Sequence, residues 1–131
     1  MDAATLDPTL ERRRHRTESA LEALNRLAEA SRRRAGVEAV TVSDGAGLLL
    51  AGAGAHRLCE ELAAYAPLMA HGADNDTVPS ALDCFEGRTR LRRFAIDGFE
   101  IVVTFCGAKD DAEAELDAVS AGCTRILRSR P

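Results

Sequence analysis

The chain has 131 residues, enough for one domain with one core, and 46% of them are hydrophobic. Aromatic residues make up 4% and Trp is absent, so the expected core is aliphatic and an aromatic platform for single-stranded nucleic acid is excluded. The net charge of −4 supplies no global pull toward nucleic acid or anionic lipid, and no apolar run approaches a membrane span. The polar, arginine-bearing N-terminus has no apolar segment behind it, so no secretory signal is read and a cytoplasmic location is expected.

The first 17 residues read as a flexible basic extension, and residues 18–131 as the folded domain. Asp7-Pro8 offers one helix start, with Asp as cap and Pro at the first helical position. Ser19-x-x-Glu22 offers a second, as a capping box. Either leads into one helix with apolar positions Leu21, Leu24, Leu27 and Ala28, ending near Ala35-Gly36. Arg12, Arg13, Arg14 and Arg16 precede its apolar part, and Arg32, Arg33 and Arg34 close it, where cations complement the helix dipole. Two readings of these arginines stand: a solvated basic surface, or a docking patch for an acidic partner.

Val37 to Val42 alternates as a strand, Ser43 to Gly47 is a polar turn, and Leu48 to Ala51 is a second strand. Asp44-Gly45 between two apolar runs is a hairpin signal. A helix is expected from about Ala55 to Ala70 with two stripes. Leu58, Leu62, Tyr65 and Met69 form a bulky one; Cys59, Ala63, Ala66 and Ala70 form a small one at the same spacing. The bulky stripe suits the helix's own sheet, and the small one suits a second helix at close range. Pro67 should bend this helix or mark a change in its last turns, and Gly72 is a natural stop.

A polar loop, Ala73 to Pro79, leads to a short strand at Ala81 to Glu86 and a turn at Gly87 to Thr89. Leu91 to Ile96 and Phe99 to Cys106 form a second hairpin around Asp97-Gly98. After the acidic loop Gly107 to Asp111 comes a last helix, about Ala112 to Arg128, with the stripe Leu116, Val119, Cys123, Ile126 and Leu127. The expected fold is α+β, in the order α-β-β-α-β-β-β-α. A five-stranded antiparallel sheet carries one helix on one face and two on the other. That arrangement leaves only the small stripe uncovered.

Catalytic motifs are not found. No glycine-rich phosphate loop ends in Gly-Lys-Ser or Gly-Lys-Thr, and no dinucleotide-binding glycine pattern opens a helix. His15, His56 and His71 have no nucleophile and carboxylate in a recognisable arrangement. The four cysteines, Cys59, Cys84, Cys106 and Cys123, include no Cys-x-x-Cys pair and are expected as free thiols. His56-x-x-Cys59 lacks the second ligand pair of a zinc site. The chain reads as a non-enzyme with no cofactor and no metal.

The stretch Val37-Glu-Ala-Val-Thr-Val-Ser-Asp-Gly-Ala-Gly-Leu-Leu-Leu50, the alanine-rich central helix, Phe85-Glu86-Gly87 and the hairpin from Leu91 to Phe105 together resemble the Roadblock / dynein light chain family. The similarity is greatest to its bacterial gliding-motility members and covers about residues 18–128. It implies a homodimer through central helices and an edge strand, with Cys59, Ala63, Ala66, Ala70 and Cys84 at the interface. It implies a small Ras-like GTPase as partner, met near Pro67 and His71, where the family carries small residues. Relatives of this kind accelerate GTP hydrolysis without an arginine finger and help set cell polarity. The alternative is a Roadblock-type adaptor in another signalling complex, for example beside a sensor kinase, with no GTPase effect. Neither nucleic acid nor membrane insertion is expected.

Overall fold

The structure, a computed structural model, describes residues 8–71, 89–107 and 112–128. In chain order the elements are α1 (Pro8–Ala35), β1 (Ala39–Asp44), β2 (Leu49–Ala53), α2 (His56–Ala70), β3 (Arg90–Ile96), β4 (Phe99–Cys106) and α3 (Glu113–Arg128). The four strands form one antiparallel sheet in the order β2-β1-β4-β3. Among the described residues the sheet therefore has four strands, where the expected fold has five. The expected strand at Ala81–Glu86 lies outside the described residues.

Strand alternation divides the chain into two layers. Val40, Val42, Ile101, Val103 and Phe105 point to one face and join Leu24 and Ala28 of α1 and Leu116, Val119 and Cys123 of α3 in the main core. Ala39 and Cys106 point to the other face and pack with Cys59 and Leu62 of α2. One helix thus covers one face and two cover the other. The two helices of the pair run antiparallel. Arg34 of α1 bonds Glu115 of α3 at 2.8 Å, and Gly122 approaches Leu27 so closely that an added Cβ would lie 2.8 Å from its side chain. Arg92 of β3 ties the sheet edge to α3 through Glu113 (2.6 Å) and Asp117.

Helix α1 begins at Pro8, so Ser19 lies inside the helix rather than capping it. The residues from Pro8 to Thr17, expected to be flexible, are helical. Its end is built as expected: Gly36 at φ 65° donates to the Arg32 carbonyl at 2.9 Å, a left-handed cap that a Cβ would strain. The first hairpin differs from the expected tight Asp-Gly turn. Asp44 Oδ1 accepts from the amides of Ala46 and Leu48, both at 2.9 Å, and the positive φ falls on Gly47 (89°) rather than Gly45. Carboxylate bonding to the backbone takes over the role assigned to a two-residue turn. In the second hairpin Asp97 and Gly98 both adopt positive φ, 50° and 84°, as a primed turn requires. Strands β1 and β2 run two residues further than expected, because Ser43 and Asp44 pair with Val102 and Ile101, and Ala53 pairs with Val40.

Candidate functional site

Helix α2 is the only helix on its face of the sheet among the described residues, which makes its outward side the candidate interaction surface. Its packing reverses one expectation. Cys59, Ala63 and Ala66 are buried within the single chain, against the helix's own sheet. The reason is close approach. A Cβ added at Gly47 would lie 3.1 Å from the Ala64 carbonyl and 3.3 Å from that of Ala63, and one at Gly52 would lie 3.2 Å from Cys59 Sγ. The small stripe lets α2 settle onto a glycine-bearing hairpin. Cys59, Ala63 and Ala66 therefore have no surface left for a second copy, and Ala70 is half-buried. Cys84, the remaining expected interface residue, lies outside the described residues. Of the bulky stripe, Leu62 is buried and Leu58, Tyr65 and Met69 are half-buried along one flank.

The side turned to solvent carries Arg57, Ala64 and Leu68 at helical spacing, with Glu61 half-buried among them. Leu68 is 40% exposed, one of few large apolar side chains so placed. Sequence spacing alone missed this stripe, because its one apolar anchor is interleaved with charges.

Below α2, beside the apolar Ala39 and Cys106, the sheet carries a row of hydroxyl side chains. Thr41 and Thr104 face each other in register, both are buried, and neither hydroxyl has a hydrogen-bond partner. Ser43 in the same layer donates to the Val102 carbonyl at 3.4 Å. Small hydroxyl side chains occupy little height, which again lets α2 sit low.

The C-terminal end of α2 brings together side chains from three elements. Pro67 does not interrupt the helix, which continues to Ala70; the His71 amide closes its end by donating to the Pro67 carbonyl at 3.0 Å. Pro67 is half-buried and His71 is exposed. Arg93 Nη1 donates to His71 Nδ1 at 2.7 Å. The same Nη1 lies 3.2 Å from His71 Nε2, so the guanidinium donates to this ring and the tautomer decides which nitrogen accepts. Nε2 lies 3.3 Å from Glu100 Oε1, without the alignment of a hydrogen bond, and that oxygen has no other partner. Glu100 in turn stands against Gly45, where an added Cβ would meet it at 3.1 Å. His71 thus anchors the helix end to β3 and β4 and stays accessible. Pro67 and His71, singled out from sequence, do share one end of the helix.

The remaining expected reactive groups are dispersed. His56 pairs with Glu60 at 2.7 Å on an exposed turn of α2, while the neighbouring Cys59 thiol donates to the Ala53 carbonyl at 3.5 Å beneath the helix. Burial pushes the Cys59 thiol up, with Arg32 opposing, and burial pushes Cys123 up to about 12. Both are thiols held in the neutral form, the opposite of a nucleophile's requirement. Among the described residues no three His, Cys, Asp or Glu side chains are grouped to hold a metal, and no helix is long and apolar enough to cross a membrane.

Comparison with known proteins places the architecture. No protein-family model matches the sequence, and no curated protein matches it. Among solved structures the fold matches Myxococcus xanthus MglB, a Roadblock-like protein. The TM-score is 0.53 at 12% identity, over 83% of this chain and 90% of that one.

Proposed function

We propose that this chain is a non-catalytic, homodimeric regulator or scaffold of a small Ras-like GTPase, acting in the cytoplasm. The observation that carries it is α2, unpaired on its face among the described residues, with Ala64 and Leu68 turned outward on the fold of MglB. In this reading the outward side of α2 forms the dimer seam, continued by Ala70 and the segment bearing Cys84. Because Cys59, Ala63 and Ala66 are committed to the interior, they support the seam from beneath rather than line it.

The partner meets the helix ends around Pro67 and His71. His71, fixed by Arg93, presents a polar group on an otherwise small surface. A regulator shifts a switch only by binding one state better than the other. Neither arginine of this region is proposed as a finger: Arg57 stands at the opposite end of α2, and Arg93 is engaged by His71. Acceleration of hydrolysis would come from holding the GTPase's own switch loops, which positions its catalytic groups and water.

The test is a binding titration against the GTPase encoded nearest in the genome, loaded in turn with each nucleotide. Tighter binding of the GTP form supports the proposal. Equal affinity for both forms, or no binding at about tens of micromolar, removes it and leaves the adaptor reading, which needs the dimer but no nucleotide preference.

A further inference from the structure

Helix α1 is longer than the body it packs on. The exposed run Thr9 to Ser19 precedes Ala20, its first buried residue, apart from Arg13. At about 1.5 Å per residue this half projects on the order of 18 Å as a straight arm. The antiparallel match of Arg34 with Glu115 and Leu27 with Gly122 places Arg128 level with Leu21. The arm therefore leaves the body at the C-terminal end of α3.

At that same end the sheet opens into a cleft of about 360 Å³. Leu50, Ile101 and Leu127 give it an apolar lining, and Phe99, Asp44 and Asp97 stand at it with Arg128. Phe99 is 74% exposed. The arm carries the matching features. Leu10 is its exposed apolar side chain, at 56%; Arg14 follows it on the same face, and Arg12 and Arg16 lie on the other. Among the described residues none of these arginines, nor Asp97, has an ion pair.

We propose that the arm of α1 docks into this cleft of a second copy, each copy giving its arm and receiving the other's. Leu10 enters the apolar cleft beside Phe99, and Arg14, on the same face of the arm, meets the carboxylates Asp97 and Asp44. The arm is a continuous helix running past its own cleft, so it cannot fold back to fill it. Arm and cleft share one end of the molecule, which lets two copies meet end to end in a closed, two-fold exchange. The charges favour this occupant over others. Leu10 alone gives no apolar face for a lipid surface, and Glu11 and Glu18 among the arginines oppose a phosphate backbone. This contact is separate from the one through α2.

Sedimentation of the full chain over a concentration series tests it, with Leu10→Asp and Phe99→Ser as variants. Both side chains are exposed, so both variants should fold; thermal melting checks that. Each should weaken one association step by about tenfold or more, because a two-fold exchange loses the same apolar anchor at both of its contacts. Salt should weaken the same step in the parent chain. A mixture of the two variants should associate more tightly than either alone, because one of its two contacts pairs the intact arm of the Phe99→Ser copy with the intact cleft of the Leu10→Asp copy. Association unchanged in both variants overturns the proposal. So does a loss in either variant that the mixture fails to lessen, which would assign the cleft to a different partner.

Discussion

Substitution of Ala63 by Leu separates the two possible orientations of α2. Ala63 is fully buried, and the chain beneath it has no slack: the Gly47 backbone already lies within about van der Waals reach of the Ala63 and Ala64 carbonyls. Three added heavy atoms must displace the helix or the hairpin. Overpacking of this kind costs about 1–3 kcal/mol. For a domain of this size each kcal/mol moves the melting temperature by about 3–5 °C. A drop of roughly 5–10 °C is therefore expected, together with a lower denaturant midpoint, and both should be independent of protein concentration. Ala63→Arg adds an unpaired buried charge and should cost about 3–5 kcal/mol, a large part of a typical domain's stability. The neighbouring Ala64→Leu, exposed in the single chain and on the proposed seam, should leave the single chain's stability within about 0.5 kcal/mol and act on association alone. Circular dichroism melts of the three variants decide the matter. If Ala63→Leu melts like the parent, or loses stability only on dilution, the small stripe faces a second copy and the packing described above is wrong.

Asn25→Ala should lower stability by about 1 kcal/mol and increase aggregation, because Asn25 Oδ1 accepts from the Gly52 amide at 3.0 Å on β2, an edge strand that would otherwise offer that donor to another chain; light scattering during a melt reads both. Thr41→Val should stabilise by about 1 kcal/mol, since it replaces an unpartnered buried hydroxyl with an isosteric methyl; a denaturant midpoint lower than the parent's would show that the hydroxyl is bonded. Cys123, raised by burial from 9.0 to about 12, keeps its proton in the folded chain where the unfolded chain loses it. Its contribution is complete below pH 9 and is lost as pH rises toward 12, a drop on the order of 4 kcal/mol. Cys123→Ala should flatten that part of the stability profile, and an unchanged slope would assign the loss to other groups.

Much of the fold was legible because it rests on local chemistry. Strand β4 was placed to the residue, because its β-branched and aromatic run admits one reading. Asp97-Gly98 was legible because only a primed turn joins two such strands without a loop. The orientation of α2 was not. Periodicity shows that a helix has a large and a small side, and both can face a sheet. What decides is the height of the surface below, set here by Gly47, Gly52, Thr41 and Thr104 on other elements. The arm was read as an extension because its charges carry no apolar period; Pro8 and the helix it continues determine its conformation. The end-of-sheet cleft combines Leu50, Phe99 and Leu127 from three elements, which no local pattern links. Pro67 and His71 were recognisable as neighbours, but the tie to Arg93 and Glu100 required the sheet register.

The outward side of α2 as the surface where this chain meets its own kind is tested most directly by mass. Light scattering at high salt, where arm exchange is suppressed, should give twice the chain mass for the parent and the single-chain mass for Leu68→Asp, with both equally well folded. A parent of single-chain mass at micromolar concentration, or a Leu68→Asp variant that stays fully dimeric, would contradict it.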